Sequence, residues 1–112
     1  MTALPETIGR LGALSKLILQ SNRLSALPAS LCDLSRLTEL DLRFNNLGAL
    51  PAGMARLQSL EVLDLRANAL TALPDELDQL PALRKLDLRW NRLQAYPACL
   101  ATLSERGCVV YT

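Results

Sequence analysis

The feature that most constrains this chain is a sequence repeat with a constant period of 23 residues. Asparagine and proline both recur at this spacing, at Asn22, Asn45, Asn68 and Asn91 and at Pro5, Pro28, Pro51, Pro74 and Pro97. Four whole units follow from it: 14–36, 37–59, 60–82 and 83–105. A half unit, 1–13, precedes them, and a terminal strand, 106–112, follows. Such regular repetition predicts one domain, 1–112, in which equal units stack side by side.

Each unit combines two hydrophobic patterns of different period, as the second unit, LTELDLRFNNLGALPAGMARLQS, illustrates. Its L-x-L segment alternates apolar and polar residues, which predicts a strand. The later segment has apolar residues three apart after a proline, which predicts a helical or 3₁₀ turn. One unit is too small to bury its own leucines, so we expect the strands to pair in a parallel sheet on a concave wall, with the turns on the convex wall.

The repeated asparagines are predicted to have a structural role. Each one follows a strand where the chain must turn sharply, and a buried amide can accept from one backbone N–H and donate to a neighbouring carbonyl. We therefore expect Asn22, Asn45, Asn68 and Asn91 to form a ladder along the stacked units.

The segments LTELDLRFNNLGALPAGM, LEVLDLRANALTALPDEL and LRKLDLRWNRLQAYPACL resemble leucine-rich repeats of the 23-residue, Leu-Pro-containing kind. The resemblance covers nearly the whole chain. It implies an α/β fold, a right-handed leucine-rich-repeat solenoid with a parallel sheet on the concave face and short helical or 3₁₀ turns on the convex face. Similar repeats occur in bacterial proteins, including injected effectors, and in intracellular scaffolds. The chain departs from the pattern at Tyr96 and Arg106, and the second departure suggests that the solenoid ends there.

The residues between the strand leucines are expected to line the concave face in columns. The columns are Lys16, Glu39, Val62 and Lys85; Ile18, Asp41, Asp64 and Asp87; Gln20, Arg43, Arg66 and Arg89; and, at the rim, Ser21, Phe44, Ala67 and Trp90. Because neighbouring strands are about 4.8 Å apart, like charges stack within a column, and pairing between the Asp and Arg columns offsets the repulsion. These charges either form a self-neutralised surface or contact a partner.

Phe44 and Trp90 are two of only four aromatic residues in the chain, and both fall in the rim column. Strand spacing puts them about 10 Å apart. Exposed aromatics beside arginine are typical of binding hot spots, although each ring can instead pack on a neighbouring side chain. The predicted partner-binding residues are Phe44, Trp90, Arg43, Arg66, Arg89, Asp41, Asp64, Asp87, Lys85 and Glu39.

The terminal segment RGCVVYT is predicted to form a last strand. Continuing the 23-residue period places Val109 and Tyr111 inward. It places Cys108, Val110 and Thr112 on the concave face.

Several classes of function are excluded by residues that the sequence lacks. The chain contains no histidine, so Ser-His-Asp and Cys-His catalysis are excluded and the commonest metal ligand is missing. A net charge of +1 gives no reason to expect nucleic acid or an anionic membrane as partner. We therefore predict a protein that is not an enzyme, takes no cofactor or metal, and binds neither nucleic acid nor membrane.

The cysteines Cys32, Cys99 and Cys108 are odd in number and have no metal-ligand spacing. This usage predicts free thiols and a cytoplasmic location. The N-terminal sequence has no secretory signal pattern, and secretion without a cleavable signal peptide is the alternative.

The function predicted from these observations is binding of another protein on the concave face. Two alternatives stay open. The chain is the repeat domain of a larger effector or signalling enzyme whose catalytic part is absent, or it is a structural element that self-associates through its exposed solenoid ends.

Overall fold

Five short strands form one parallel sheet in the computed structural model, which describes residues 2–112. The strands are β1 (Lys16–Ile18), β2 (Glu39–Asp41), β3 (Val62–Asp64), β4 (Lys85–Asp87) and β5 (Val109–Tyr111), and they pair in chain order. Lys16 pairs with Glu39, Glu39 with Val62, and Val62 with Lys85, so the first three pairings follow the sequence period. Met1, the first residue of the predicted half unit, lies outside the described residues.

Short helices connect successive strands. They are the 3₁₀ helices η1 (Glu6–Arg10), η2 (Ala29–Asp33), η3 (Met54–Arg56) and η4 (Asp75–Gln79), and the α-helix α1 (Ala98–Glu105). Four of them begin directly after the repeated proline, whose fixed φ suits the first turn and whose missing N–H costs nothing there.

The helix η3 begins differently, after Gly53, whose φ of 96° lies in the left-handed region that favours glycine. The first amides of this turn bond to the next repeat. The Glu76 carboxylate accepts hydrogen bonds from the N–H of Gly53 at 2.7 Å and of Met54 at 3.0 Å. Neighbouring repeats are therefore tied together on the helical side of the solenoid as well as in the sheet.

The core is a continuous stack of leucines between the sheet and the helices. In the interior repeats the leucines at the pattern positions are buried, and Leu40, Leu63 and Leu86 on consecutive strands are fully so. At the ends of the stack the equivalent residues Leu17 and Leu93 are only partly buried, because they have a neighbouring repeat on one side.

The interior asparagines each bond to the preceding repeat. The Asn68 Oδ1 accepts from the Leu47 N–H at 3.1 Å, and its Nδ2 donates to the carbonyls of Leu42 at 2.9 Å and Leu65 at 3.1 Å. Asn45 and Asn91 make the equivalent bonds in their own repeats. The Nδ2 of Asn22 donates only within its own repeat, to Leu19 and Gln20.

The helix α1 ends in a Schellman motif that the repeat pattern does not contain. The Cys108 N–H donates to the Leu103 carbonyl, and the Gly107 N–H donates to the Ser104 carbonyl. Gly107 has a φ of 99°, which a residue without a Cβ adopts at little cost. The eight-residue α-helix and this closing turn use one residue more than the 3₁₀ turns of the other repeats.

The extra residue makes the predicted orientation of the last strand wrong. Lys85 pairs with Val109, which is 24 residues later, and Asp87 pairs with Tyr111. Val109 and Tyr111 are consequently exposed, while Cys108 is buried and Val110 packs against the core. A shift of one residue moves every side chain of a strand to the opposite face.

Arg106 does not occupy the core slot of the leucine that it replaces. It is exposed, and its guanidinium donates to the carbonyls of Asp78 at 2.9 Å and Leu80 at 2.6 Å, at the end of η4. The arginine thus adds hydrogen bonds to carbonyl groups at the end of the short helix.

Candidate functional site

The candidate site is the concave face of the sheet, where side chains from β2 to β5 and from the turns that follow the strands meet. Leu40, Leu63 and Leu86 point into the core, so the residues on either side of each leucine point to the opposite face. Register places Glu39, Val62 and Lys85 in one row, and Asp41, Asp64 and Asp87 in the next.

Each aspartate of the second row is held by the arginine two residues later. Arg89 donates from Nε to Asp87 Oδ1 at 3.0 Å and from Nη2 to Asp87 Oδ2 at 2.7 Å. Arg66 makes the same bidentate pair with Asp64, from Nε to Oδ1 at 3.0 Å and from Nη2 to Oδ2 at 2.7 Å. Its Nε also lies 3.3 Å from Asp87 Oδ2 on the next strand. Paired forks of this kind fix both position and orientation of the guanidinium.

On the concave face, the aspartates lie beneath the arginines. The side chains of Asp41 and Asp87 are 12% and 3% exposed, whereas those of Arg43 and Arg89 are 29% and 43% exposed. The sheet brings the two columns close enough for each guanidinium to cover a carboxylate. The charged groups that a partner can reach in this row are therefore mainly guanidiniums.

The buried Asp87 is kept ionised by its neighbours. Desolvation raises the pKa of this carboxyl, but the hydrogen bonds from the Arg89 side chain and backbone and the charges of Arg89 and Arg66 outweigh that effect. The net result is a pKa below the ordinary value for aspartate. Asp87 acts as an anchor for arginine and has no proton to donate near neutral pH.

The two rim aromatics are closer together than strand spacing predicts. The ring centroids of Phe44 and Trp90 are 6.4 Å apart, at an interplanar angle of 37°, against the predicted distance of about 10 Å. Ala67 occupies the repeat between them, and its methyl group leaves room for the rings to lean together. Both rings stay open to solvent, at 51% for Phe44 and 64% for Trp90.

All four rim residues have a left-handed backbone conformation. Ser21, Phe44, Ala67 and Trp90 have φ values of 59°, 57°, 54° and 64°. This conformation is uncommon for residues with a Cβ and costs energy at each repeat. It turns the chain from the strand into the asparagine loop, and it places the rim side chain at the edge of the concave face.

Tyr111 belongs to the same surface, although the sequence period placed it in the core. The Arg89 guanidinium carbon lies 5.0 Å from the Tyr111 ring centroid and 5.9 Å from that of Trp90, between the two rings. The Lys85 Nζ lies 5.8 Å from the same Tyr111 ring centroid. The signal that could have revealed Tyr111 is Gly107, a residue typical of a helix C-terminus, which marks the added residue.

Glu39 and Lys85 both line a depression in the middle of the sheet. This depression of about 340 Å³ lies over Val62, and Arg84 and Asp64 also line it. Both signs of charge border it, so it has no strong preference for an anion or a cation.

Among residues 2–112, no group of three or more histidines, cysteines, aspartates or glutamates lies close enough to hold a metal ion. Burial raises the pKa of the Cys108 thiol, so this group is a protonated core residue at neutral pH. The described part of the chain also has no helix long and apolar enough to cross a membrane.

A parallel sheet built from leucine-centred strands, an asparagine turn in each unit and helices on the opposite side define a leucine-rich-repeat solenoid. The family profile described as "Leucine rich repeat" matches residues 35–93, more than half of the chain. The chain belongs to the leucine-rich repeat family, and the resemblance noted in the sequence is confirmed.

Solved structures of the same fold come from bacteria and plants. A leucine-rich repeat protein of Leptospira interrogans is 32% identical, with a TM-score of 0.91 over 99% of this chain and 28% of that one. The ectodomain of the Arabidopsis thaliana receptor kinase GASSHO1/SCHENGEN3, in complex with Casparian strip integrity factor 2, is 36% identical, with a TM-score of 0.84 over 98% of this chain and 13% of that one. The plant peptide hormone receptor RGFR1, in complex with RGF2, shares the fold at 23% identity, with a TM-score of 0.82 over 98% of this chain and 19% of that one.

The chain spans less than a third of the length of each of these solved structures. No curated protein matches it in sequence.

Proposed function

We propose that this chain is a protein-interaction module that binds a peptide or protein segment along the concave face. Phe44 and Trp90 form the apolar anchor, and Arg43, Arg66 and Arg89 line the approach to it. The observation that carries the proposal is the pair of aromatic rings 6.4 Å apart that remain more than half exposed. Neighbouring exposed aromatics beside arginine have the composition of binding hot spots.

The arginines contribute orientation because their carboxylate pairs hold them in place. A partner that binds Arg66 or Arg89 meets a guanidinium already fixed by Asp64 or Asp87, so little side-chain freedom is lost on binding. The Nη1 atoms of these two arginines make no hydrogen bond among residues 2–112, which leaves donors for a partner carboxylate or carbonyl.

The relatives support the general class of function. A plant ectodomain that is 36% identical to this chain is in complex with Casparian strip integrity factor 2. Because one fold carries many functions, the choice of partner depends on the side chains of this particular face.

The proposal is tested by selecting binders from a random peptide display library on the immobilised protein and measuring their Kd by calorimetry. Trp90→Ala should raise the Kd about 30-fold, which corresponds to about 2 kcal/mol of lost binding free energy. Arg56→Ala is the matched control, because Arg56 lies on the helical side and pairs with Asp33 there. An unchanged Kd in both Trp90→Ala and Phe44→Ala, with native circular dichroism, would contradict the proposal.

Self-association is the second candidate function. The outer edges of β1 and β5, which pair with no further strand among residues 2–112, favour it. Concentration-dependent sedimentation that Val109→Lys or Ile18→Lys abolishes would support it. A single species at all concentrations would contradict it.

The cysteines support the proposal that the protein works in the cytoplasm. Cys32, Cys99 and Cys108 are buried and form no disulfide with one another. Such thiols are compatible with a reducing compartment. They form none of the stabilising disulfides that an oxidising compartment allows.

A further inference from the structure

The depression of about 340 Å³ over Val62 lies in the interior of the sheet, on the strands β2, β3 and β4. Register places Glu39 on one side of Val62 and Lys85 on the other, so an anion and a cation flank an apolar side chain. Two strand spacings of about 4.8 Å put their Cα atoms about 9.6 Å apart. Each of the three strands has a neighbouring strand on both sides, so the depression does not depend on either end of the sheet.

Most of the other charged groups at the depression already have a partner. Arg43 Nη2 lies 3.0 Å from Asp41 Oδ2, and its Nε lies 3.6 Å from Asp64 Oδ2. Arg84 donates from Nε to Glu61 Oε1 at 3.2 Å. The arginines and aspartates that line the depression are therefore neutralised within the protein itself.

Glu39 and Lys85 are the exceptions. Among residues 2–112, neither side chain forms an ion pair or donates or accepts a hydrogen bond. Lys16, which pairs with Glu39 in register, makes no ion pair with it in the same part of the chain. The Lys85 Nζ lies 5.8 Å from the Tyr111 ring centroid, a contact that leaves its charge without a carboxylate. Within the described residues, the depression thus presents one anion and one cation that are free to pair, at a separation set by the register.

We propose that the depression binds a peptide segment in the polyproline II conformation that carries a cation and an anion three residues apart. Polyproline II has three residues per turn and rises about 3.1 Å per residue, so residues i and i+3 lie on one edge about 9.3 Å apart. The cation of the segment pairs with Glu39, its anion pairs with Lys85, and the two residues between them cover Val62. This inference rests on the proposed concave-face function and names the chemistry of one part of its partner.

Other regular conformations match the separation of Glu39 and Lys85 less well. In an extended strand, residues i and i+2 share a face but are only about 6.8 Å apart. A helix places residues i and i+4 about 6 Å apart along its axis, and residues i and i+7 about 10.5 Å apart. Prolines are favoured at the two intervening positions, because they hold polyproline II and have no N–H that would be left without an acceptor over Val62.

The probe is the capped peptide PKPPEP, whose lysine and glutamate are three residues apart. Both precede a proline, which favours polyproline II. The peptide is titrated into ¹⁵N-labelled protein at low ionic strength, because salt screens pairs between exposed charges. The peptides PKPPKP and PEPPEP each change one charge, and PKPEP shortens the spacing by one residue. We expect saturable shifts of the Glu39, Val62 and Lys85 amides with PKPPEP, and weaker binding of the other three peptides.

Charge reversal in the protein should change which peptide binds best. Lys85→Glu should prefer PKPPKP to PKPPEP, and Glu39→Lys should prefer PEPPEP. Because each pair lies at an exposed site, we expect each preference to be about two- to fivefold in Kd. Lys16→Gln is the matched control, since Lys16 is in the same row but does not line the depression, and it should not weaken the binding of PKPPEP. Native circular dichroism of each variant checks the fold.

Three results would contradict the proposal: no saturable shift at the depression, equal affinity for PKPPEP and PKPEP, or an order of peptide affinities that charge reversal at Glu39 and Lys85 leaves unchanged. Failure of the concave-face proposal is seen separately. Trp90 does not line the depression, so Trp90→Ala should leave the Kd of PKPPEP unchanged. The concave-face proposal fails instead when Trp90→Ala and Phe44→Ala both leave the Kd of the library-selected binders unchanged.

Discussion

Replacing Asn68 by alanine tests the claim that the asparagine ladder holds neighbouring repeats together. The change removes the acceptor of the Leu47 N–H and the donor to the carbonyls of Leu42 and Leu65. Asn68 is only 8% exposed and Leu47 is fully buried, so water cannot replace these bonds without opening the junction.

The expected cost follows from the groups left without partners. A buried N–H without an acceptor costs about 1–3 kcal/mol, and each lost neutral hydrogen bond contributes about 0.5–1.5 kcal/mol. Because the two carbonyls have further acceptor capacity and lose less than the N–H, we expect Asn68→Ala to lower the free energy of unfolding by about 3 kcal/mol. That is a large fraction of the stability of a domain of this size.

Asn22→Ala is the matched control, since Asn22 has the same place in its repeat but no preceding strand. Its Nδ2 bonds remain within the repeat, and its Oδ1 accepts no backbone N–H among residues 2–112. The loss there should be about 1 kcal/mol. Equilibrium urea unfolding followed by far-ultraviolet circular dichroism measures both variants. Equal losses in the two would refute the reasoning that cross-repeat bonds dominate.

Three further predictions concern the last strand, the buried carboxylate and the thiols. Val110→Asp should destabilise the fold by about 2 kcal/mol or more, whereas Val109→Asp should leave the unfolding midpoint nearly unchanged. A larger loss of stability in Val109→Asp than in Val110→Asp would instead support the 23-residue register of the last strand. Because the pKa of Asp87 is lowered in the folded state, its stabilising effect is complete above the unfolded pKa of about 3.9 and is lost as pH falls through the folded value. In Asp87→Asn the free energy of unfolding should therefore fall less steeply at acidic pH than in the unmodified protein. An unaltered slope would count against the pairing of Asp87 with Arg89. Burial raises the pKa of all three thiols, so a thiol reagent such as DTNB should react with the native protein far more slowly than with the protein in urea; rapid native labelling of Cys108 would contradict its inward orientation.

Much of the fold can be predicted from the sequence, because in a repeat protein the local pattern of one unit also sets how neighbouring units pack. The spacing of Asn45 and Asn68 fixes both the length of a unit and the register between their strands. The alternation around Leu40 and Leu63 decides which side chains enter the core. Since each unit contacts only its neighbours, the same local solution holds along the interior of the chain.

The candidate site is less predictable, because its geometry depends on contacts across strands. Periodicity places Phe44 and Trp90 in one column but says nothing about how far the two rings lean together over Ala67. Alternation puts Asp87 on the concave face, yet only the packed sheet places Arg89 over it and leaves the guanidinium outermost. Side-chain conformations of this kind are set by neighbours that are 23 residues away in sequence.

The sequence by itself determined the solenoid, its leucine core and the positions of the asparagines, since these depend on a period that each repeat shares. Only the tertiary structure decided where that period stops: the α-helix Ala98–Glu105 and the Gly107 turn add one residue, and the last strand presents Tyr111 to Arg89. The reason is that helix type is chosen by packing against η4 and by the closing hydrogen bonds of the turn. One added residue before a strand moves each of its side chains to the opposite face of the sheet.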